Sequence, residues 1–250
     1  RRLPSLRWLF AACACTLSAC VAAAPPPPVV TVPASYAGPI IDTHFHLDPG
    51  FGGSSLQETL TALDEIRAHG GVATAGLIVI ARQGDLELTR SENDRVAELA
   101  RAGGGRFFAF GSVHPGDGDA AIAELERIAA LGVPGLKLHP NTQHFDLAAP
   151  EVERVVRRAA ELGLVILFDA YSPFDPGETG QFVKLALAHP TARFILAHMG
   201  GPRFFDMAVF SVLNAYPKVF KRNVWLELSA VSHIVFGSPS LMEQLRHTCR

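Results

Sequence analysis

From Pro39 onward the chain repeats one unit: a short apolar run, a turn, then a helical stretch rich in Ala, Leu, Glu and Arg. Strands are expected near 39–46, 72–81, 107–113, 135–139, 164–170, 193–198 and 223–229. Helices are expected near 54–69, 91–103, 118–131, 150–162, 178–189, 204–216 and 240–250. Strands alternating with helices imply βαβ units and a parallel sheet. Pro150 suits a first helical turn and Gly163 the end of the same helix. An open doubly wound sheet and a TIM (β/α)8 barrel both follow from this pattern. The barrel is favoured, because a polar residue closes one apolar run after another, at the strand end where barrel chemistry occurs. Seven units can be counted. A barrel needs eight strands and ~250 residues, so the reading is an α/β barrel whose last strand is missing from this sequence.

Side chains alternate faces along a strand. Asp42, His44 and His46 are therefore expected on the inner face, with Ile41, Thr43, Phe45 and Leu47 packed outward. Two histidines at i and i+2 can reach one divalent ion, and imidazole suits zinc. The same parity puts Lys137 and His139 inside, with Leu136 and Leu138 outside. It puts Asp169 inside behind Val165 and Leu167, and His198 inside behind Phe194 and Leu196, with Ala197 outside. Glu227 and Ser229 share a face, and Lys137 paired with Glu227 as a structural cation is the bland alternative. His114, Arg82, Asn141, Tyr171 and Arg203 fall on βα-loops, within reach of a substrate.

The segment before Pro39 reads as targeting sequence. Arg1, Arg2 and Arg7 precede an apolar run, Trp8 to Ala14, too short to remain as a membrane span. Leu17-Ser18-Ala19-Cys20 resembles the bacterial lipoprotein signal, in which the cysteine is lipidated. Residues 1–20 are thus expected to be a signal peptide, and 21–38, with four consecutive prolines, an extended stalk. The domain at 39–250 would be held at the bacterial cell envelope through Cys20, the alternative being an ordinary secretory signal cleaved near Ala22. Cys13, Cys15, Cys20 and Cys249 leave the body without a disulfide framework or a thiolate metal site. A net charge of −2 gives no nucleic-acid footprint. Oligomeric state has no signal in the sequence.

Three segments carry a family resemblance: Ile41-Asp42-Thr43-His44-Phe45-His46, Gly135-Leu136-Lys137-Leu138-His139-Pro140, and Phe194 through Gly201. Together they resemble the amidohydrolase superfamily, in the branch that includes aminocarboxymuconate semialdehyde decarboxylase. The resemblance implies one divalent ion, zinc or manganese, held by His44 and His46, a strand-five residue and an aspartate on strand eight. Strand five offers Asp169 where a histidine is expected. The strand-eight aspartate is expected beyond Arg250. His198 matches a catalytic or orienting histidine, and Lys137 is the second catalytic candidate, as a cation for a substrate anion or as a carboxylated bridge. His139, Arg82 and His114 are the substrate-binding candidates. The expected reaction is hydrolysis of a small ester, lactone or amide by metal-activated water. Decarboxylation on the same scaffold is the alternative, and a surface lipoprotein with a degenerate site is the third reading.

Overall fold

The structure, a computed structural model, describes residues 38–48, 51–53, 55–169, 177–231, 235 and 237–248. The signal peptide, the stalk up to residue 37, Cys20, Cys249 and Tyr171 lie outside these. The body is the unit Pro39–Arg250.

Among the described residues seven strands form one sheet in sequence order: β1 (Ile40–His46), β2 (Val72–Ile78), β3 (Phe107–Ser112), β4 (Gly135–Leu138), β5 (Val165–Phe168), β6 (Arg193–Leu196) and β7 (Val224–Leu226). Every neighbouring pair is parallel. The helices between them are α1 (Leu56–His69), α2 (Leu86–Ala102), α3 (Asp119–Ala130), the single turn α4 (Pro140–Gln143), α5 (Pro150–Glu161), α6 (Glu178–Ala188) and α7 (Ala208–Leu213); α8 (Pro239–Thr248) follows β7. The sheet curls so far that residues at the ends of β1 and β7 touch, through His44 and Glu227. This is a TIM barrel in which no eighth strand occurs among the described residues.

Two apolar layers hold it. Leu136, Leu138, Ile166, Phe168, Phe194 and Leu196 point from the strands into the helices. Ile78, Phe110, Leu167 and Ala197 fill the inside of the curl, with Phe108, Val165 and Ile195 against them. Close approach across β3 and β4 depends on Gly135, where a Cβ would stand 2.2 Å from the Phe110 ring.

Local chemistry sets the boundaries. Ser55 and Glu58 form a reciprocal capping box at the start of α1. Asp85 caps α2, which begins five residues before its apolar periodicity predicts, because the cap rather than the first buried residue fixes the start. Strands two, five, six and seven are shorter than predicted, so Asp169, His198, Glu227 and Ser229 sit just past strand ends. Of the helix expected at 204–216, the first four residues belong to 3-10 turns over Ala197–Met207, and α7 covers the next six.

Strict alternation of faces breaks down twice. The β1–β2 register breaks between Asp42 and Phe45. Asp42 then lies with Phe45 beside Leu63 and Ile66 of α1, its Oδ1 accepting from the His44 backbone N–H at 2.8 Å, and does not join His44 and His46. Ile41 is 60% exposed rather than packed, because β1 borders the described sheet. In β6 and the residue after it, Ile195 and Ala197 face inward, with Phe194 and Leu196 outward. His198 reaches the mouth because its backbone turns left-handed there (φ 55°).

Candidate active site

Buried hydrogen bonds fix the strand ends. Asn93 of α2 donates to Ser112 O at 3.0 Å and to Glu124 at 2.7 Å, and accepts from Ser112 N at 2.8 Å. Ser112 Oγ accepts from Ala81 N at 3.0 Å and donates to Lys137 O at 2.9 Å. The ends of β2, β3 and β4 are thereby tied to one another. Gln143 adds a second tie, donating to Ala81 O at 3.0 Å and Val113 O at 3.1 Å while its side-chain oxygen accepts from His139 N at 2.8 Å.

At the centre is Asp169. Its Oδ2 lies 3.0 Å from Lys137 Nζ, 3.3 Å from His198 Nε2, 3.5 Å from His44 Nε2 and 3.6 Å from His139 Nε2. Lys137 is wholly buried and Asp169 almost so. Lys137 Nζ also donates to His44 Nε2 at 3.0 Å. That bond makes Nε2 the acceptor of a neutral imidazole, so Nδ1 carries the proton and points at Glu227 Oε2, 3.3 Å away. Glu227 accepts in turn from Ser229 Oγ at 2.6 Å, from the His198 backbone N–H at 3.3 Å and from Ser229 N. His198 Nδ1 faces Ser229 O at 2.9 Å and Ser229 Oγ at 2.8 Å. The His44 and His198 rings stack with centroids 4.5 Å apart, and the His46 ring is 5.1 Å from that of His44. Residues His198 to Gly201 all hold positive φ, a run of strained backbone of the kind that gathers at functional sites.

The local field follows from this packing. Burial, then Lys137 and His44, pushes the His46 pKa down to about 4. Burial takes His139 to about 4 as well, against the pull of Asp169. His44 is lowered, again by burial first. Burial would raise Asp169, but the His198 hydrogen bond and the charge of Lys137 override it and hold the carboxyl far below its usual range. Burial opposes Glu227 too, yet His44 and Ser229 bring it to about 2. His198 is raised, because Asp169 outweighs its burial. Lys137 is lowered by burial despite Asp169.

The donors fit a divalent cation. Tetrahedral bonds of ~2.1 Å put neighbouring ligand atoms ~3.4 Å apart, and Asp169 Oδ2 has His44 Nε2 at 3.5 Å and His198 Nε2 at 3.3 Å. His44, His198 and Glu227 also offer ligand atoms within 4.8 Å of one another. The hydrogen bond to Nδ1 of His44 favours an orienting place for Glu227, since metal-bound histidines commonly donate their other N–H to a carboxylate.

Beside the cluster is a cleft of about 540 Å³ at the ends of β1 to β4, lined by His46, Arg82, Gln83, Ser112 and His144 among others. Among the sequence candidates, His44, Lys137, His139, Asp169 and His198 meet in the cluster, His46 stands between cluster and cleft, and Arg82 is on the cleft rim. His114 has a different occupation: buried, it donates from Nε2 to Gln143 O at 2.7 Å and accepts at Nδ1 from Gly116 N at 3.0 Å. Both ring nitrogens are spent on the backbone of a turn, leaving none for a substrate. Asn141 is exposed and Arg203 pairs with Asp206 at 2.7 Å. Glu227 is the cluster residue that the sequence candidates omit. Its signal was its position one residue past an apolar run, on the same face as Ser229.

The amidohydrolase family model matches residues 41–246. No curated protein matches the sequence. Among solved structures, 5-carboxyvanillate decarboxylase LigW from Sphingomonas paucimobilis is 20% identical, with a TM-score of 0.54 over 78% of this chain and 70% of that one. 2,6-Dihydroxybenzoate decarboxylase from Rhizobium is 15% identical, with a TM-score of 0.51 over 84% and 92%. LigW2 from Novosphingobium aromaticivorans, solved with bound manganese, is 18% identical, with a TM-score of 0.52 over 74% and 66%. At these identities the structures speak to the fold. The family rests on the sequence match, which spans nearly the whole body: the chain belongs to the amidohydrolase family of enzymes.

Proposed function

We propose that the protein is a metal-dependent decarboxylase of a small, hydroxylated aromatic carboxylic acid. The observation that carries the choice over hydrolysis is the engagement of both cluster carboxylates. Asp169 Oδ2 is surrounded by Lys137 and three imidazoles, and Glu227 accepts from His44, Ser229 and His198. Carboxylates so stabilised are poor bases for taking a proton from water. Decarboxylation asks for the opposite, a proton delivered to carbon, and His198 Nε2 is held against Asp169 where an imidazolium is favoured.

In this reading His44 and Asp169 would hold the ion, with His46 beside them, His198 stays off it as the proton donor, and Arg82 on the cleft rim receives the substrate's charge. A bound divalent ion would act as an electrophile that polarises the substrate carboxylate. The C–C bond breaks, CO₂ leaves, and the electron pair stays on the ring carbon. A proton from the His198 imidazolium completes the product. The scaffold likeness to two kinds of hydroxybenzoate decarboxylase supports this substrate class. Manganese is the first ion to try, given the bound ion in the LigW2 structure and the carboxylate in the donor set, with zinc second.

Hydrolysis of a small ester, lactone or amide is the second reading, favoured by the family match itself. Incubating the metal-loaded full chain with carboxyl-¹³C hydroxybenzoates separates the two. Labelled CO₂ and a product one carboxyl lighter support the proposal; turnover of esters, lactones or amides without CO₂ release overturns it. Anchoring at the envelope through Cys20 belongs to the same proposal. It predicts fatty-acid incorporation that is lost in Cys20→Ala.

A further inference from the structure

The Lys137 ammonium stands where the ligand atoms converge. Its Nζ is 3.0 Å from Asp169 Oδ2 and 3.0 Å from His44 Nε2. Those are two of the donors assigned to the metal, and His44 Nε2 has a single lone pair. It can accept the Lys137 hydrogen bond or bind a cation, but not both. Lys137 has little room to withdraw: it is 0% exposed, and β4 is laddered on both sides. The Ser112 hydroxyl further fixes its carbonyl at 2.9 Å. A divalent ion at the same donors would face a fixed positive charge a few ångströms away, with little solvent between them to screen it. The pair also accounts for a carboxylate at position 169. A neutral imidazole would leave a buried ammonium unbalanced, whereas Asp169 neutralises it.

We propose that Lys137 is a built-in competitor for the metal: its ammonium satisfies His44 and Asp169 when no ion is present, and ion binding requires it to leave His44. This rests on the metal-dependent reading above and adds to it a device that keeps the metal-free site neutral and folded while weakening ion affinity.

The test is calorimetric titration of Mn²⁺ into the chelator-stripped full chain, for wild type, Lys137→Gln and Lys137→Met. Both variants are expected to bind at least tenfold more tightly than wild type, and Mn²⁺ is expected to raise their Tm by more than it raises that of wild type. Equal or weaker binding by the variants overturns the proposal. Should the variants not fold, the wild-type crystal structure with Mn²⁺ decides. Lys137 Nζ beyond hydrogen-bond reach of His44 Nε2 supports the competitor role, and Nζ still 3.0 Å away beside a bound ion overturns it. Unchanged affinities alongside Mn²⁺-dependent CO₂ release would sink the competitor role alone. No Mn²⁺ binding by any of the three proteins would sink it together with the metal-dependent reading.

Discussion

His44 Nδ1 lies 3.3 Å from Glu227 Oε2, although the two residues stand on opposite borders of a seven-stranded sheet and 183 positions apart. The contact shows how far the sheet has curled, and it sets the tautomer that leaves His44 Nε2 facing Asp169. Glu227→Gln removes the carboxylate that orients this ring. Loss of such an orienting partner typically costs 10–100-fold in metal affinity. A Mn²⁺ titration of Glu227→Gln should show a drop of about that size, and an unchanged affinity would mean that Glu227 does not orient His44.

The Lys137–Asp169 pair is buried on both sides. Breaking such a pair by removing one partner costs about 3–5 kcal/mol, whereas replacing both with apolar groups of similar size is often neutral or better. Asp169→Ala is therefore expected to lose stability of that order in urea denaturation of the metal-free protein. The double variant Lys137→Met/Asp169→Leu should recover most of it. A double variant as unstable as the single one would show that the packing, not the charge, is at stake.

Metal-free stability should fall with acidity. His46 and His139 titrate near 4 in the fold and near ~6.5 when unfolded. Between these values the unfolded chain binds more protons, so stability is fully present above the unfolded value and is lost as pH falls toward 4. The lowered His44 adds to this and the raised His198 opposes it. Thermal melts in chelator should show Tm declining from neutrality to pH 4.5. A flat or rising Tm would contradict the neutral state of these rings.

Gly135 has its place because the Phe110 ring occupies the space of a side chain. Gly135→Ala must push apart β3 and β4, an overpacking worth about 1–3 kcal/mol. Denaturation midpoints should report that loss, and an unchanged midpoint would mean that Phe110 moves freely.

Much of the fold was legible because strand and helix periods differ. Leu136, Leu138 and Lys137 take the faces that alternation assigns them, and so do Leu167 and Phe168. Alternation breaks where the backbone leaves the ideal strand. The irregular β1 register turns Asp42 toward α1, and the left-handed turn at His198 brings that ring to the mouth from a strand of the opposite parity. Neither leaves a period in the sequence. His114 shows the other limit. A histidine at a strand end looks the same whether it faces a substrate or, as here, closes a turn with both nitrogens.

Arg82 rims the cleft beside the cluster, so Arg82→Ala should raise KM for a carboxylate substrate by about tenfold while changing kcat little, as expected for loss of ground-state binding. A loss confined to kcat would move Arg82 from binding to chemistry.

Release of ¹³CO₂ from carboxyl-labelled 2,6-dihydroxybenzoate and 5-carboxyvanillate by the Mn²⁺-loaded full chain, run alongside ester, lactone and amide panels, decides between decarboxylation and hydrolysis. A decarboxylase gives labelled CO₂ and solvent deuterium at the vacated ring carbon, and loses both in His198→Ala. Hydrolysis of a panel substrate with no CO₂ from any carboxylate would contradict decarboxylation.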